Sequence, residues 1–238
     1  MRIVKHIPNT ITCLNLLSGV MGIIVLFGGR PDQAFFLMLA AAVFDFCDGL
    51  AARALGAYSE LGKELDSLAD MVSFGVLPAM MLFVGTSHPY LRFVTLLLVA
   101  FSALRLAKFN LDERQHASFL GLPTPASAMI CGSLICYSFV SPDSWAAWLC
   151  SQVWFLPVLS LAICALLVSE IPMFSMKFGT GKETPMREKT KRLAFLAVTA
   201  LSVAAALAFG LRWTVIPIIS FTAYIIINLI FAFSPQRA

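Results

Sequence analysis

The chain has 238 residues, 59% of them apolar and only 13% charged, with a formal net charge of +4 and a mean hydropathy of +0.86. That composition supplies no polar shell for a soluble domain, and the apolar residues come in blocks of about 20, the length of helix that crosses a bilayer. A transmembrane β-barrel is excluded by the absence of period-two alternation, and the modest positive charge marks a cytoplasmic membrane face rather than a nucleic-acid surface.

The expected fold class is all-α: a polytopic transmembrane helical bundle of about eight spans, forming one integral membrane domain over 1–238, with no strand required. Met1 to Pro8 is too short for a cleavable signal, so no removed leader is expected. Spans are predicted at roughly 9–28, 33–53, 63–86, 90–109, 123–140, 145–170, 191–210 and 213–234. Asp45 and Asp48 interrupt the second, and Asp66 and Asp70 the third. Trp145, Trp148 and Trp154 near the outer end of the sixth read as interfacial anchors. The polar stretch Lys177 to Arg192 reads as a solvated loop near anionic headgroups. Cys13, Cys47, Cys131, Cys136, Cys150 and Cys164 have no metal-site spacing and read as small packing residues, and His6, His88 and His116 are given no catalytic role.

With eight spans both termini share a side. Assigning them to the cytoplasm puts Arg2, Lys5, Arg53, Lys63, Arg105, Lys108, Arg114, Lys177, Lys182, Arg187, Lys189, Lys191, Arg192 and Arg237 inside, and only Arg30, Arg92 and Arg212 outside.

An aspartate at the bilayer centre costs about 2.5 to 3.5 kcal/mol on insertion scales, so four in two neighbouring spans need compensation. Arg53 and Lys63 are the only cations nearby. Hard oxygen donors without His or Cys suit Mg²⁺ or Mn²⁺. On a helix advancing about 100° per residue, Asp45 and Asp48 lie about 60° apart and Asp66 and Asp70 about 40° apart, so each pair shares a face. Joined by a short loop, the two spans form an antiparallel hairpin in which all four carboxylates meet at similar depth. Gly49, Ala52 and Gly62 leave room for phosphate oxygens to approach, and Arg53 offers a planar donor fork. Taken singly, each small residue is equally explained by helix packing.

Asp45-x-x-Asp48-Gly49-x-x-Ala52-Arg53, then eight residues, then Gly62-x-x-x-Asp66-x-x-x-Asp70, resembles the complete signature of the CDP-alcohol phosphotransferase family. Pro8-Asn9-x-x-Thr12-x-x-Asn15-Leu16-x-x-Gly19 before it, and Arg105-Leu-Ala-Lys108-Phe-Asn110 with Gly121-Leu-Pro123-Thr124-Pro125-Ala126 after it, resemble the serine-using bacterial and archaeal members. The resemblance implies a homodimeric membrane enzyme that displaces CMP from CDP-diacylglycerol with serine. It implies that Asp45, Asp48 and Asp66 hold metal, as two Mn²⁺ or Mg²⁺ ions, with Asp70 close to them and acting as general base. Asn9, Thr12, Gly49, Ala52, Arg53 and Gly62 are the candidate contacts to nucleotide and phosphate, Asn9 and Thr12 having helix capping as the rival explanation. Arg105, Lys108 and Asn110 are the candidates for the acceptor's carboxylate, with snorkelling to lipid phosphate as the rival for Lys108. Two alternatives stay open: a sister enzyme using glycerol 3-phosphate or inositol, and a cation transporter built on intramembrane aspartates.

Overall fold

The computed structural model describes residues 6–111, 119–174 and 186–233. These form α1 (Ile7–Phe27), α2 (Pro31–Ala54), α3 (Glu60–Gly85), α4 (Leu91–Leu111), α5 (Thr124–Val140), α6 (Trp145–Ser151), α7 (Phe155–Val168), α8 (Met186–Ala208) and α9 (Val215–Phe233). Six of them, α1 to α4 with α8 and α9, are long and apolar enough to cross a membrane. Their outer faces carry large apolar side chains such as Leu17, Ile24, Val43 and Phe46 with more than half of their surface open, where acyl chains rather than water are the fitting solvent. The chain is a multi-pass membrane protein.

The fifth and sixth expected spans depart from simple rods. α5 has 17 residues and bends by 105° into α6 at the Ser141–Ser144 break. α7, at 14 residues, rises about 21 Å against a hydrocarbon thickness of about 30 Å. The expected sixth span is therefore broken in two at Gln152–Trp154. Trp145, Trp148 and Trp154 near this break are exposed, in keeping with interfacial anchoring. The six cysteines are free, Cys131, Cys136 and Cys164 being buried in the packing and Cys13 exposed. The part of the polar loop at 177–185, and also Arg2, Lys5, Arg114, His116 and Arg237, lie outside the described residues.

The described residues are all-α as expected but for one two-residue pairing: β1 (Phe119–Leu120) runs antiparallel to β2 (Pro172–Met173). The chain entering α5 runs beside the chain leaving α7, and their backbone groups satisfy one another where burial would otherwise leave them unpaired. Gly121 N donates to the Ile171 carbonyl and Leu122 N to the Leu166 carbonyl. Gly121 has φ +76, and a Cβ there would sit 2.6 Å from the Leu167 carbonyl oxygen. Only glycine fits this clamp.

α5 is the buried centre of the bundle, with Ala126 to Tyr137 all inside. Its small residues let neighbours close in: a Cβ on Gly132 would lie 2.9 Å from Met38 and Phe35 of α2. α1 contributes a second close-packed seam. Its buried residues Pro8, Thr12, Asn15, Gly19, Gly22 and Leu26 recur every three or four positions, polar toward the N-terminus and small or apolar beyond. This stripe packs against both α2 and α3, whereas α2 meets α3 chiefly at the middle of α3. The expected α2–α3 hairpin is thus opened, and α1 fills the gap.

The turn joining α2 to α3 is set residue by residue. Gly56 takes φ +57, Gly56 N donates to the Arg53 carbonyl, and Ala57 N to the Ala52 carbonyl, a Schellman ending that satisfies the last carbonyls of α2. Ser59 then caps α3, its Oγ accepting from Gly62 N at 3.0 Å. Beyond Asp70, α3 widens into a π-helical stretch over Met71–Val76. Pro78 lacks an N–H and its ring crowds the carbonyl four residues back, so a regular α-helix cannot run through Phe74 to Pro78.

Candidate active site

The ends of five helices meet at one end of the bundle: the start of α1, the α2–α3 turn, the end of α4 and the start of α5. Counting about 1.5 Å per residue from those ends, Thr12, Asp48, Asp66 and Arg105 lie about 8 to 9 Å in, and Asn15, Asp45 and Asp70 about 12 to 15 Å in. Two layers of polar groups are therefore stacked within about 15 Å of one end of the bundle.

In this region Asp45, Asp48 and Asp66 each present an oxygen within 4.8 Å of the other two. Oxygens bound to one Mg²⁺ at about 2.1 Å lie up to about 4.2 Å apart, so little movement separates this arrangement from a coordinating one. Three carboxylates with no imidazole or thiolate among them, on two helices inside an apolar bundle, fit a hard divalent cation and nothing softer. Asp70 lies outside this group of three but faces Asp45 and Asp66 electrostatically.

The carboxylates are held from α1. Thr12 Oγ1 lies 2.6 Å from Asp48 Oδ2 and 3.0 Å from the Pro8 carbonyl. Asp48 is buried, and its Oδ2 accepts the hydrogen bond that the Thr12 hydroxyl donates. Asn15 Nδ2 donates to Asp70 Oδ1 at 3.2 Å, and the Asn15 carbonyl accepts from Ser73 Oγ at 3.0 Å. Capping does not account for Thr12 or Asn9, because the α1 cap position is His6, without a side-chain bond.

The small residues divide in use. A Cβ on Gly49 would meet only Arg53 Nη2, at 4.0 Å, so the surface over Gly49 is open beside a guanidinium. Arg53 is exposed and its Nε donates to the Gly49 carbonyl at 2.9 Å, which folds the side chain back along α2. Gly62 admits a neighbour instead, a Cβ there lying 3.0 Å from Asn9 Oδ1 and from Ser59 Oγ. Ala52, half-buried, follows one turn after Asp48.

On the opposite wall Arg105 is buried, its Nη1 donating to Thr124 Oγ1 at 2.9 Å and its guanidinium lying 5.1 Å from the centre of the Phe109 ring. It faces Asp70 and Tyr224 electrostatically. Lys108 is exposed. Asn110 is engaged with α3: its Nδ2 donates to Ser67 Oγ at 2.9 Å, and Lys63 Nζ donates to its carbonyl at 3.1 Å.

Asn15, Ser73, Ser67 and Thr124 are the site residues to which sequence reasoning assigned no role. For Asn15 a signal was present: Asn9, Thr12 and Asn15 repeat every three residues down one face of an apolar span, where polar groups need partners. Ser73, Ser67 and Thr124 carry no such mark.

A family model described as CDP-alcohol phosphatidyltransferase matches residues 5–159. The chain belongs to this family. It is 36% identical over 220 residues to the CDP-diacylglycerol–serine O-phosphatidyltransferase of Mycobacterium bovis, covering 88% of this chain and 74% of that protein. The protein of the same description from Mycobacterium leprae is 34% identical over 219 residues, 88% of this chain and 70% of its own length. The archaetidylserine synthase of Methanothermobacter thermautotrophicus is 35% identical over 144 residues, 59% of this chain and 62% of its own. Family and carboxylate group together support binding of a divalent cation.

Proposed function

We propose that this protein transfers the phosphatidyl group of CDP-diacylglycerol to the hydroxyl of L-serine, giving phosphatidylserine and CMP. The observation that carries this reading is the set of three carboxylates gathered from two helices beside the open, cationic surface of Gly49 and Arg53. The names of the relatives support serine as the acceptor. Asp45, Asp48 and Asp66 would hold the metal, as two Mn²⁺ or Mg²⁺ ions with Asp70 adjacent. When bound, such ions neutralise the diphosphate and stabilise the oxygens of an in-line displacement.

The chain's own residues do the rest. Asp70 accepts the proton of the serine hydroxyl, whose oxygen forms a bond to the phosphorus bearing diacylglycerol. The bond from that phosphorus to the CMP oxygen breaks, and CMP leaves with the electron pair. Arg53, with the side-chain-free backbone at Gly49 and the short side chain of Ala52, receives the phosphates, while Gly62 lets Asn9 close in at the mouth for the nucleotide. Thr12 acts on the donor side through Asp48. Arg105 receives the carboxylate of serine, a role for which a buried guanidinium is suited. Lys108 and Asn110 border that pocket, Asn110 by joining α4 to α3.

The carboxylates lie about 9 to 15 Å inside one end of the bundle, a depth suited to a substrate with acyl chains in the bilayer and a charged headgroup at its surface. We place that end in the cytoplasm, from the excess of Lys and Arg in the loops there, and take the protein as a single catalytic domain that dimerises with itself. Purified protein given CDP-diacylglycerol, Mn²⁺ and either serine, glycerol 3-phosphate or inositol should release CMP with serine alone. Release with another alcohol and not with serine would reject serine as acceptor.

A further inference from the structure

Asn15 is completely buried and touches the site through two different groups. Its side chain donates to Asp70 Oδ1, while its backbone carbonyl accepts from Ser73. The two partners lie three residues apart on α3, Asp70 at the end of the regular helix and Ser73 inside the π-helical stretch. Together they fasten α3 to α1 on either side of the change in helical pitch. One turn further along α1, Gly19 packs on Ser73, a Cβ there falling 2.9 Å from the Ser73 Cα. The backbone around Asp70 is thus held by contacts that leave no room for drift.

The side-chain bond also fixes how the carboxylate is turned. An ionised carboxylate only accepts, so the amide must show it the NH₂ edge. One oxygen of Asp70 is then committed, rotation of the carboxylate is arrested, and the second oxygen has a defined direction. The amide oxygen of Asn15 points away, buried and without a hydrogen-bond partner among the described residues. Leaving such an atom unsatisfied carries a desolvation cost that an apolar side chain at this position would avoid. Packing alone gives no reason for an amide here.

We propose that Asn15 is a positioning residue for the transfer reaction: it locks one oxygen of Asp70 so that the other is aimed at the acceptor hydroxyl. This assignment rests on the reading of Asp70 as the base. Orientation of a reacting group is worth a large factor in rate, and outer-shell partners of this kind typically contribute about 10- to 100-fold.

The test replaces Asn15→Leu in the full-length protein, with kcat, the KM for each substrate and Mn²⁺ affinity measured separately and Asp70→Asn run in parallel. The expected result is a loss of about 10- to 100-fold in kcat with serine, while the KM for CDP-diacylglycerol and the affinity for Mn²⁺ stay within about twofold. A wild-type kcat, or a loss shared equally by donor KM and Mn²⁺ affinity as general loosening would give, overturns the assignment. If Asp70→Asn keeps its turnover, the base role itself fails. If Asp70→Asn is inactive while Asn15→Leu is as fast as the wild type, only the role of Asn15 fails. Should Asn15→Leu not accumulate in the membrane, Asn15→Ala takes its place, removing the amide that reaches Asp70 without adding an apolar branch. A several-fold drop in kcat at unchanged donor KM is then expected, and no drop overturns the proposal.

Discussion

The Thr12 hydroxyl lies 2.6 Å from Asp48 Oδ2, a bond between two helices at matching depth, the first residue buried in α1 and the second in α2. It holds one oxygen of Asp48, whose carboxylate also comes within 4.8 Å of those of Asp45 and Asp66. Replacing Thr12→Val keeps the shape and removes the donor, and Thr12→Ser keeps the donor. Because the partner is a carboxylate, Mn²⁺ affinity should fall about 10-fold or more in Thr12→Val and stay near wild type in Thr12→Ser. Titration followed by electron paramagnetic resonance of free Mn²⁺ checks this.

Three carboxylates brought within 4.8 Å of one another repel in the absence of a cation, which sets the sign of two linked effects. A cation at about 100 times its dissociation constant should stabilise the protein by about 2.7 kcal/mol. Asp66→Asn should lose most of that gain yet melt no lower than the wild type when both are stripped with chelator, since it relieves the like-charge contact. Thermal unfolding in detergent with and without Mn²⁺ reads both. Chelator should also abolish CMP release, and added Mn²⁺ or Mg²⁺ should restore it.

Gly19 packs on the backbone of Ser73, so Gly19→Ala forces α1 and α3 apart by several tenths of an ångström. Overpacking of this kind costs about 1 to 3 kcal/mol. The same displacement lengthens the bonds Asn15 makes to Asp70 and Ser73, so the variant should lose kcat as well as melting temperature. Gly56→Ala, exposed at the turn with φ +57 and open space around it, should cost about 1 kcal/mol of stability through backbone strain alone and leave kcat unchanged in the folded fraction. The contrast between the two separates packing at the site from turn geometry.

Arg105 is buried and bonded to Thr124 from a neighbouring helix. If it receives the serine carboxylate, Arg105→Lys should raise the KM for serine at least about 10-fold, because an ammonium cannot reproduce two parallel donor bonds. The KM for CDP-diacylglycerol should move little. Initial rates over a matrix of the two substrates decide it, and equal effects on both would remove Arg105 from the acceptor pocket.

Local periodicity alone determined a good deal. Blocks of about 20 apolar residues imply membrane helices because no other element of that length satisfies its own backbone in lipid. Spacings of three and four place Asp45 with Asp48, and Asp66 with Asp70, on single faces because a helix turns about 100° per residue. Gly56 and Ser59 mark the end of one helix and the start of the next for equally local reasons. Which residues meet across helices could not be read this way, since contacts between distant segments depend on how whole rods pack. Only the tertiary structure decided that α1 enters between α2 and α3, that Thr12 and Asn15 hold Asp48 and Asp70, that Asn110 turns to Ser67, and that Gly121 sits in a clamp formed by the end of α7. The division has one physical cause: helix geometry is written in neighbours along the chain, and the site is built from distant partners such as Asn15 and Ser73, 58 residues apart.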